Sequence, residues 1–525
     1  MKSSRLVSLV AALTFTTLTA AVAVGQKPHI KFAPAVAYDS GASEADSVAV
    51  ADLRGGGKLD LVVVDYCQSA GQFSCSGYGE VAVLLGNGDG TFQPAVIYST
   101  GAYNAESVAV GDVNGDGTPD VVVANACQTP GEFHCVGETG AVSVLLGYGD
   151  GTFQPAVVYS SGGNYAFSVA IGDLTGDGVP DIVVANGALD NGYPSVAVLI
   201  GNGDGTFQPA VAYSTGGEQT NSVAIGDVNG DGIPDLIVAN FQQSQSAEGE
   251  VAVLLGNGDG TFQPAVTYDA GGEYSYSVAL GDLRGDGILD VVVANSVPGG
   301  AVDVLLGNGD GTFQPAVPYL GHGLTPGGAS GSLAIGDVNG DGILDLAVVE
   351  FCPKFHDEVC VGTGQVNVML GNGDGTFQKT VVYSSGGYYG SAIAIADVNG
   401  DGRPDLLVSN EFLNHDNYND GSAAVLLNET TYTTKTALTA QPNPSQVNQT
   451  VTFAATITST PAVPNGELVT FYNGKANLGT GATANGVASL STSFSTAKTY
   501  TIKASYPGDA FRKASSGTVK QVVNP

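Results

Sequence analysis

The 525-residue sequence predicts an all-β protein: a seven-bladed propeller closed by its N-terminal strand, followed by a small β-sandwich. Three observations carry this expectation. A nine-residue loop of the form D-x-N-G-D-G-x-x-D, intact or degenerate, recurs seven times, starting at Asp52, Asp112, Asp173, Asp227, Asp282, Asp337 and Asp397. Successive copies are 54–61 residues apart, a period that marks stacked supersecondary units rather than independent domains. The composition agrees, with 76 Gly, no Trp, only 13% charged residues and apolar residues that alternate along short runs.

Taken from the start, residues 1–23 read as a secretory signal. Lys2 and Arg5 precede an apolar run from Leu6 to Ala20, and Ala21-Val22-Ala23 is a cleavage site of the A-x-A kind. The run is short for a membrane span and contains several Thr. The mature chain is expected to be secreted, or held at the cell surface by partners, without membrane insertion.

One repeat is legible over residues 221–268. Ser222–Asp227 alternates like a half-buried strand, the Asp loop follows, and Asp235–Asn240 is a short apolar strand. A variable loop leads to a third strand, Glu250–Gly256. Asn257-Gly-Asp-Gly260 supplies the positive φ angles of a tight turn, and Thr261–Tyr268 is the fourth strand. Pro264 suits an outer edge, where a missing N–H costs least. Four strands per repeat is the propeller unit.

The strand count implies closure. The first three strands occur seven times, but the last repeat stops at Ser422–Asn428 without a fourth. The missing copy stands at the other end, as Phe32–Tyr38, and is expected to complete the seventh blade. Closure removes sheet edges that would invite aggregation.

Six cysteines form three local pairs, Cys67/Cys75, Cys127/Cys135 and Cys352/Cys360, at one place in their repeats. Only the repeats of 60 or 61 residues carry a pair, so each pair sits in an insertion. We expect three disulfides outside the cytosol, each stapling an enlarged loop by about 2–3 kcal/mol. Metal-binding thiols are disfavoured because no C-x-x-C spacing occurs.

After residue 432 the repeat ends and the charge inverts. Residues 433–525 carry seven Lys/Arg against two acids, whereas residues 24–432 carry eight against 48. Val451–Ile457 and Tyr500–Tyr506 alternate strictly, and Asn473-Gly474 and Asn485-Gly486 are hairpin turns.

On the motifs D-x-N-G-D-G-x-x-D and L-L-G-N-G-D-G-T-F, residues 32–430 resemble the FG-GAP/VCBS repeats of secreted bacterial proteins, related to the propeller of integrin α subunits. The tail, through Ala440-Gln-Pro-Asn-Pro-Ser445 and Tyr506-Pro-Gly-Asp509, resembles bacterial Ig-like repeat domains. The expected organisation is therefore a signal peptide (1–23), a propeller (24–432) and an Ig-like domain (433–525). Such tails usually act as spacers, though a basic tail could also pack on an acidic propeller. The resemblance implies calcium in the loops between first and second strands.

The loop chemistry points the same way. Calcium takes oxygen ligands at about 2.3–2.6 Å, and a tight loop offers side chains at positions 1, 3 and 5, a carbonyl at 7 and a carboxylate at 9. Four loops are complete: Asp112, Asn114, Asp116, Thr118, Asp120; Asp227, Asn229, Asp231, Ile233, Asp235; Asp337, Asn339, Asp341, Ile343, Asp345; and Asp397, Asn399, Asp401, Arg403, Asp405. A fifth, Asp173, Thr175, Asp177, Val179, Asp181, keeps an oxygen at position 3. Convergent carboxylates without a cation would repel. The loop at Asp282 has Arg284 at position 3, whose guanidinium can replace an ion; the loop at Asp52 has Arg54, Gly56 and Lys58 and is expected to hold none. The expected cofactor is Ca2+ at four to five structural sites.

Other readings are weaker. Arg284-Gly-Asp286 spells RGD, but Asp286 belongs to a loop, so coincidence is favoured. The Gly-Asp-Gly turns lead into a strand with Pro and lack Lys, which argues against a phosphate cradle. A formal charge of −33 argues against nucleic acid and anionic membranes. The loops opposite the Asp loops vary most and carry Tyr103, Tyr165, Phe167, Tyr274, Tyr276, Tyr388 and Tyr389, with His322, His356 and His415 nearby. Tyrosines there would stack on an extracellular glycan or protein ligand, or else simply fill the ring between blades. A non-catalytic adhesion or ligand-binding module is the expected function. An enzyme acting on extracellular polysaccharide and a structural envelope component are the alternatives.

Overall fold

The computed structural model of the chain describes residues 30–71, 74–129, 139–187, 194–241, 248–295, 301–320, 330–351, 355–356, 359–360, 362–414 and 420–525. The signal segment, His322, His415, Cys135 and Cys352 lie outside the described residues, as do the side chains of Cys75, His356 and Cys360.

Seven four-stranded antiparallel sheets form the blades. Blade 1 is Ser43–Ala51, Asp60–Cys67, Glu80–Leu84 and Val96–Ser99. Blade 7 is Tyr388–Ala396, Asp405–Phe412 and Ser422–Leu426, completed by Val36–Asp39 from the chain's beginning, with Val36 opposite Val425. The first strand of each blade packs on the first strand of the next, and Ser43–Ala51 meets Tyr388–Ala396. The ring is therefore closed as the strand count requires.

The second strands explain the cohesion. Asp120–Cys127 is buried at every residue. Val121 and Val123 join the cluster shared with blade 1, while Val122 and Ala124 join the one shared with blade 3. A strand covered on both faces has no polar side to present, so it reads as a continuous apolar run. Each such valine contributes roughly 1.5–3 kcal/mol of burial.

Fourth-strand boundaries differ from expectation: the closing strand is Val36–Asp39 rather than Phe32–Tyr38, with Phe32 making only a single bridge to Asn428. In blade 4 the fourth strand is not Thr261–Tyr268 but Val266–Glu273. Phe262 makes a single bridge to Gly256, and Gln263 donates to the Leu255 carbonyl. Pro264 cannot donate, so the ladder restarts only beyond it. The other end of each inner strand is irregular. A bulge interrupts its register, and Glu44, Asn104, Tyr165, Tyr274 and Tyr389 hold φ between 50° and 62° there.

The C-terminal region is a β domain of eight strands in one continuous hydrogen-bonded order, from Lys435–Gln441 to Ser515–Asn524 and Ser445–Gln446. The order folds over on itself around one core that includes Phe453, Phe471 and Tyr506. Asn485 and Gly486 both have positive φ, as their hairpin turn requires. Among the described residues no helix is long and apolar enough to cross a membrane.

Candidate functional site

Each inner strand runs from one face of the ring to the other and ends in its Asp loop. The tight turns between third and fourth strands share that face. Second-to-third loops and blade-to-blade connections occupy the opposite face.

In the Asp112 loop, Asp112 accepts from the N–H groups of Gly115 (2.7 Å), Asp116 (3.1 Å) and Gly117 (2.7 Å). Asn114 accepts from Asp116 N–H (2.8 Å) and donates to the Asp116 carboxylate (3.0 Å). Gly115 and Gly117 have φ of 75° and 84°, which a side chain would strain.

The last aspartate has a role beyond the sequence expectation. Asp120 is fully buried, and its oxygens accept from Val113 N–H (2.9 Å) and Gly147 N–H (2.8 Å). It therefore ties the Asp loop to the end of the third strand. The tie recurs in every blade, from Asp60, Asp181, Asp235, Asp290, Asp345 and Asp405 to Gly86, Gly201, Gly256, Gly307, Gly371 and Asn428. The Leu-Leu-Gly that ends the third strand in blades 1, 2, 4 and 5, varied to Leu-Ile-Gly, Met-Leu-Gly and Leu-Leu-Asn in the others, was the sequence signal for it.

Burial pushes the carboxyls of Asp120, Asp181 and Asp235 up, and the acids of their own loops push them further. The same causes raise Asp345 to about 8 and Asp405 to about 7. The two arginine loops show what resolves such a site. Arg54 Nη2 lies 2.5 Å from Asp60 Oδ1 and donates to the Gly86 carbonyl (2.7 Å). Arg284 repeats this with Asp290 (2.9 Å) and the Gly307 carbonyl (2.8 Å). A positive group thus sits on the position-9 carboxylate wherever position 3 supplies one. The same contacts hold Arg284 within its loop, 3.0 Å from Asp286, so the RGD tripeptide is not presented as an extended motif.

Among the described residues no three His, Cys, Asp or Glu side chains converge as a metal-ligand group. The loop sets, however, also use amide, hydroxyl and carbonyl oxygens. One of these is telling: Asn339 is fully buried, and its Oδ1 has no hydrogen-bond partner. An orphaned oxygen beside Asp337, Asp341 and Asp345 fits a hard cation. Thr175 in the fifth loop lies 3.4 Å from Asp173. Arg403, at position 7 of the Asp397 loop, ion-pairs with Asp401 and donates to the Asn428 carbonyl (2.7 Å). That loop therefore carries its own cation in part.

The opposite face divides the tyrosines. Tyr165 is only 3% exposed and packs on Ala126 and Cys127, stacked on Phe167 at 6.2 Å, so it fills the ring rather than presenting a ring to solvent. Tyr276 is 42% exposed. Tyr103 pairs with Tyr78 at 4.7 Å, and Tyr389 lies between Phe351 and Phe412 at 4.9 and 5.7 Å. Tyr103, Tyr274, Tyr388 and Tyr389 are half-buried. Cys67 and Cys127 are disulfide-bonded and buried.

Sequence reasoning missed an acidic group on this face. Glu44, Asp46 and Glu106 start the inner strands of blades 1 and 2, and Glu411 ends the second strand of blade 7. Burial first, and then the charge of Glu44, raise Glu106 and Glu411 to about 8. Asp46 is pushed up by burial and then by Glu106 and Glu411, with Tyr66 beside them. All are half-buried. Because strand-period reading gives each blade separately, acids from three blades could not be brought together from sequence.

The FG-GAP-like repeat family matches residues 72–123, 132–184, 185–238, 227–293, 282–348 and 355–408, and the FG-GAP repeat family matches 104–145. The bacterial Ig-like domain (group 3) family matches 438–524. The chain is 30% identical to integrin alpha pat-2 of Caenorhabditis elegans over 217 residues, 35% of this chain and 17% of that protein. It is 31% identical to integrin alpha-V of Gallus gallus over 189 residues, 31% of this chain and 17% of that one. The matched segment thus spans less than a fifth of either relative. Among solved structures, a Bacillus licheniformis rhamnogalacturonan lyase is 15% identical with a TM-score of 0.41, over 76% of this chain and 74% of that one.

Proposed function

Because this chain belongs to the FG-GAP-like repeat family, we propose that it is a secreted or cell-surface, calcium-stabilised propeller that acts as a non-catalytic module binding an extracellular glycan or protein. Calcium would be held by the loops at Asp112, Asp173, Asp227, Asp337 and Asp397, where it neutralises the loop acids and fixes the ends of the blade hairpins. The local cysteine pairs would staple the enlarged loops of the opposite face.

The observation that carries the binding role is an asymmetry between the faces. The Asp-loop tie and the fourth-strand tyrosine contact repeat around the whole ring. On the opposite face one inner-strand position instead reads Asp46, Glu106, Phe167, Asn221, Tyr276, Gly331 and Ser391. Repetition there would serve packing; variation gives an acidic sector beside an aromatic one, which suits a cationic or neutral ligand with a stackable ring or apolar face.

A second reading has its own observation. Glu106 and Glu411 are half-buried carboxyls held in the acid form near neutral pH, the state that general-acid cleavage of a polysaccharide uses. The two readings separate in one experiment. The protein without its signal segment is passed over immobilised extracellular polysaccharides and matrix proteins, and bound ligand is sized afterwards. Specific retention with intact ligand supports binding; shortened ligand puts the enzyme reading first; no retention on any surface counts against both.

A further inference from the structure

The C-terminal domain touches the propeller on its Asp-loop face, and among the described residues the contacts fall on blades 6 and 7. Arg512, only 3% exposed, donates to the Gly340 carbonyl in the Asp337 loop (2.8 Å) and, within its own domain, to Ala462 (2.9 Å). Asp509 pairs with its other nitrogen at 3.1 Å. Phe511 packs against Gly340, where an added methyl would come within 2.2 Å of the ring. Ala510 sits on Gly402, and its carbonyl accepts from Arg403 (2.8 Å). The same loop position is open at Gly115, Gly176 and Gly400, with no atom within 4 Å. Gly340 is not: it fits this turn because it lacks a side chain.

The cover changes the Asp337 loop. Gly340 and Asp341 are half-buried, whereas Gly115 and Asp116 are exposed. Asn114 and Asn229 satisfy both ends of their amides within the loop; Asn339 turns its amide nitrogen to Asp345 (3.4 Å) and leaves Oδ1 buried and unpartnered. Burying Asp337, Asp341 and Asp345 beneath a lid is unfavourable unless a positive group lies among them. Arg512 is already neutralised by Asp509 and spends its bond on a backbone carbonyl, so it offsets this only in part.

We propose that the C-terminal domain is a lid on the blade 6 loop, and that its seating there and occupancy of that loop by a divalent cation favour each other. The proposal rests on the calcium reading above. Linkage is reciprocal: a cation that needs the lid must hold the lid down by the same factor. The ion beneath Phe511 must also wait for the lid before it leaves, while ions in the open loops need not.

The test uses the full mature chain loaded with calcium. Release into excess chromophoric chelator is followed by stopped flow, and the particle's dimensions are followed by small-angle scattering. One ion per chain leaves about tenfold more slowly than the others, within the usual range of coupling factors. Phe511→Ala removes that slow phase, leaves the remaining ions unchanged, and gives the extended particle that wild type gives in chelator. Phe511 lies outside the domain's core cluster, so the variant's C-terminal domain melts as in wild type. Arg512→Ala acts in the same direction. Calcium binding with a single release rate, or a slow phase and scattering profile untouched by Phe511→Ala, overturns the lid while sparing the calcium reading. No calcium bound by any loop overturns both.

Discussion

Phe32 and Tyr383 meet edge to face, with ring centroids 5.2 Å apart and planes at 81°, and the Tyr383 hydroxyl donates to the Ile30 carbonyl at 3.0 Å. Six further pairs repeat this geometry, each joining the fourth-strand Tyr of one blade to the Thr-Phe motif of the next: Tyr38–Phe92, Tyr98–Phe153, Tyr159–Phe207, Tyr213–Phe262, Tyr268–Phe313 and Tyr319–Phe377. Phe32 is the copy supplied from the far end of the chain. It is therefore the aromatic half of the ring's closure.

Phe32 is 5% exposed, so Phe32→Ala removes both its burial and the seventh edge contact. The expected loss is about 3–5 kcal/mol of propeller stability. Urea unfolding followed by tyrosine fluorescence should show the lower midpoint, and proteolysis should strike the N-terminal strand first. A midpoint equal to that of wild type would show that blade 7 closes without it.

Two aspartates of one loop should behave differently. Asp235→Ala strands the buried N–H groups of Val228 and Gly256, so it destabilises by about 2 kcal/mol or more whether calcium is present or not. Asp231→Ala, near the solvent, lowers the melting temperature in calcium and has little effect in EDTA. Thermal unfolding of both variants in both buffers separates the tie from the ligand role.

The arginine loops can be converted. Arg284→Asn restores D-x-N-G-D-G-x-x-D at Asp282 and removes the guanidinium from Asp290. One additional calcium per chain is expected by metal analysis. Without calcium this variant should melt well below wild type, because a buried carboxylate loses its partner, an effect of about 3–5 kcal/mol.

Stability should depend on pH through the acids at the opposite face. Burial first, then Glu44, holds Glu106 at about 8, above the range of about 4.3 for an unfolded chain. The folded state thus binds this proton more tightly. Its contribution is full below about pH 4 and is lost as pH rises toward 8. Glu106→Gln keeps the neutral form, so it should raise the melting temperature at pH 8 and change little at pH 4.5. Equal curves at pH 8 would mean that neither burial nor Glu44 holds this proton in the folded state.

Local pattern made much of this legible. The Asp loops, the Asn-Gly-Asp-Gly turns and the missing fourth strand are all written in short runs, so the blades and their closure follow from the sequence. The double duty of Asp120 was hidden because its second partner, Gly147, belongs to another hairpin. Pro264 looked compatible with an edge strand, yet it delays that strand until Val266. Glu106 and Glu411 meet only because the ring brings blades 2 and 7 to either side of blade 1. The placement of Phe511 on Gly340 depends on two surfaces whose complementarity no periodicity encodes.

Calorimetry of the mature protein in calcium and in EDTA bears most directly on the calcium-stabilised propeller. The propeller transition should fall in EDTA and return when calcium is restored. Superimposable transitions in the two buffers would contradict the assignment of a cation to the Asp loops.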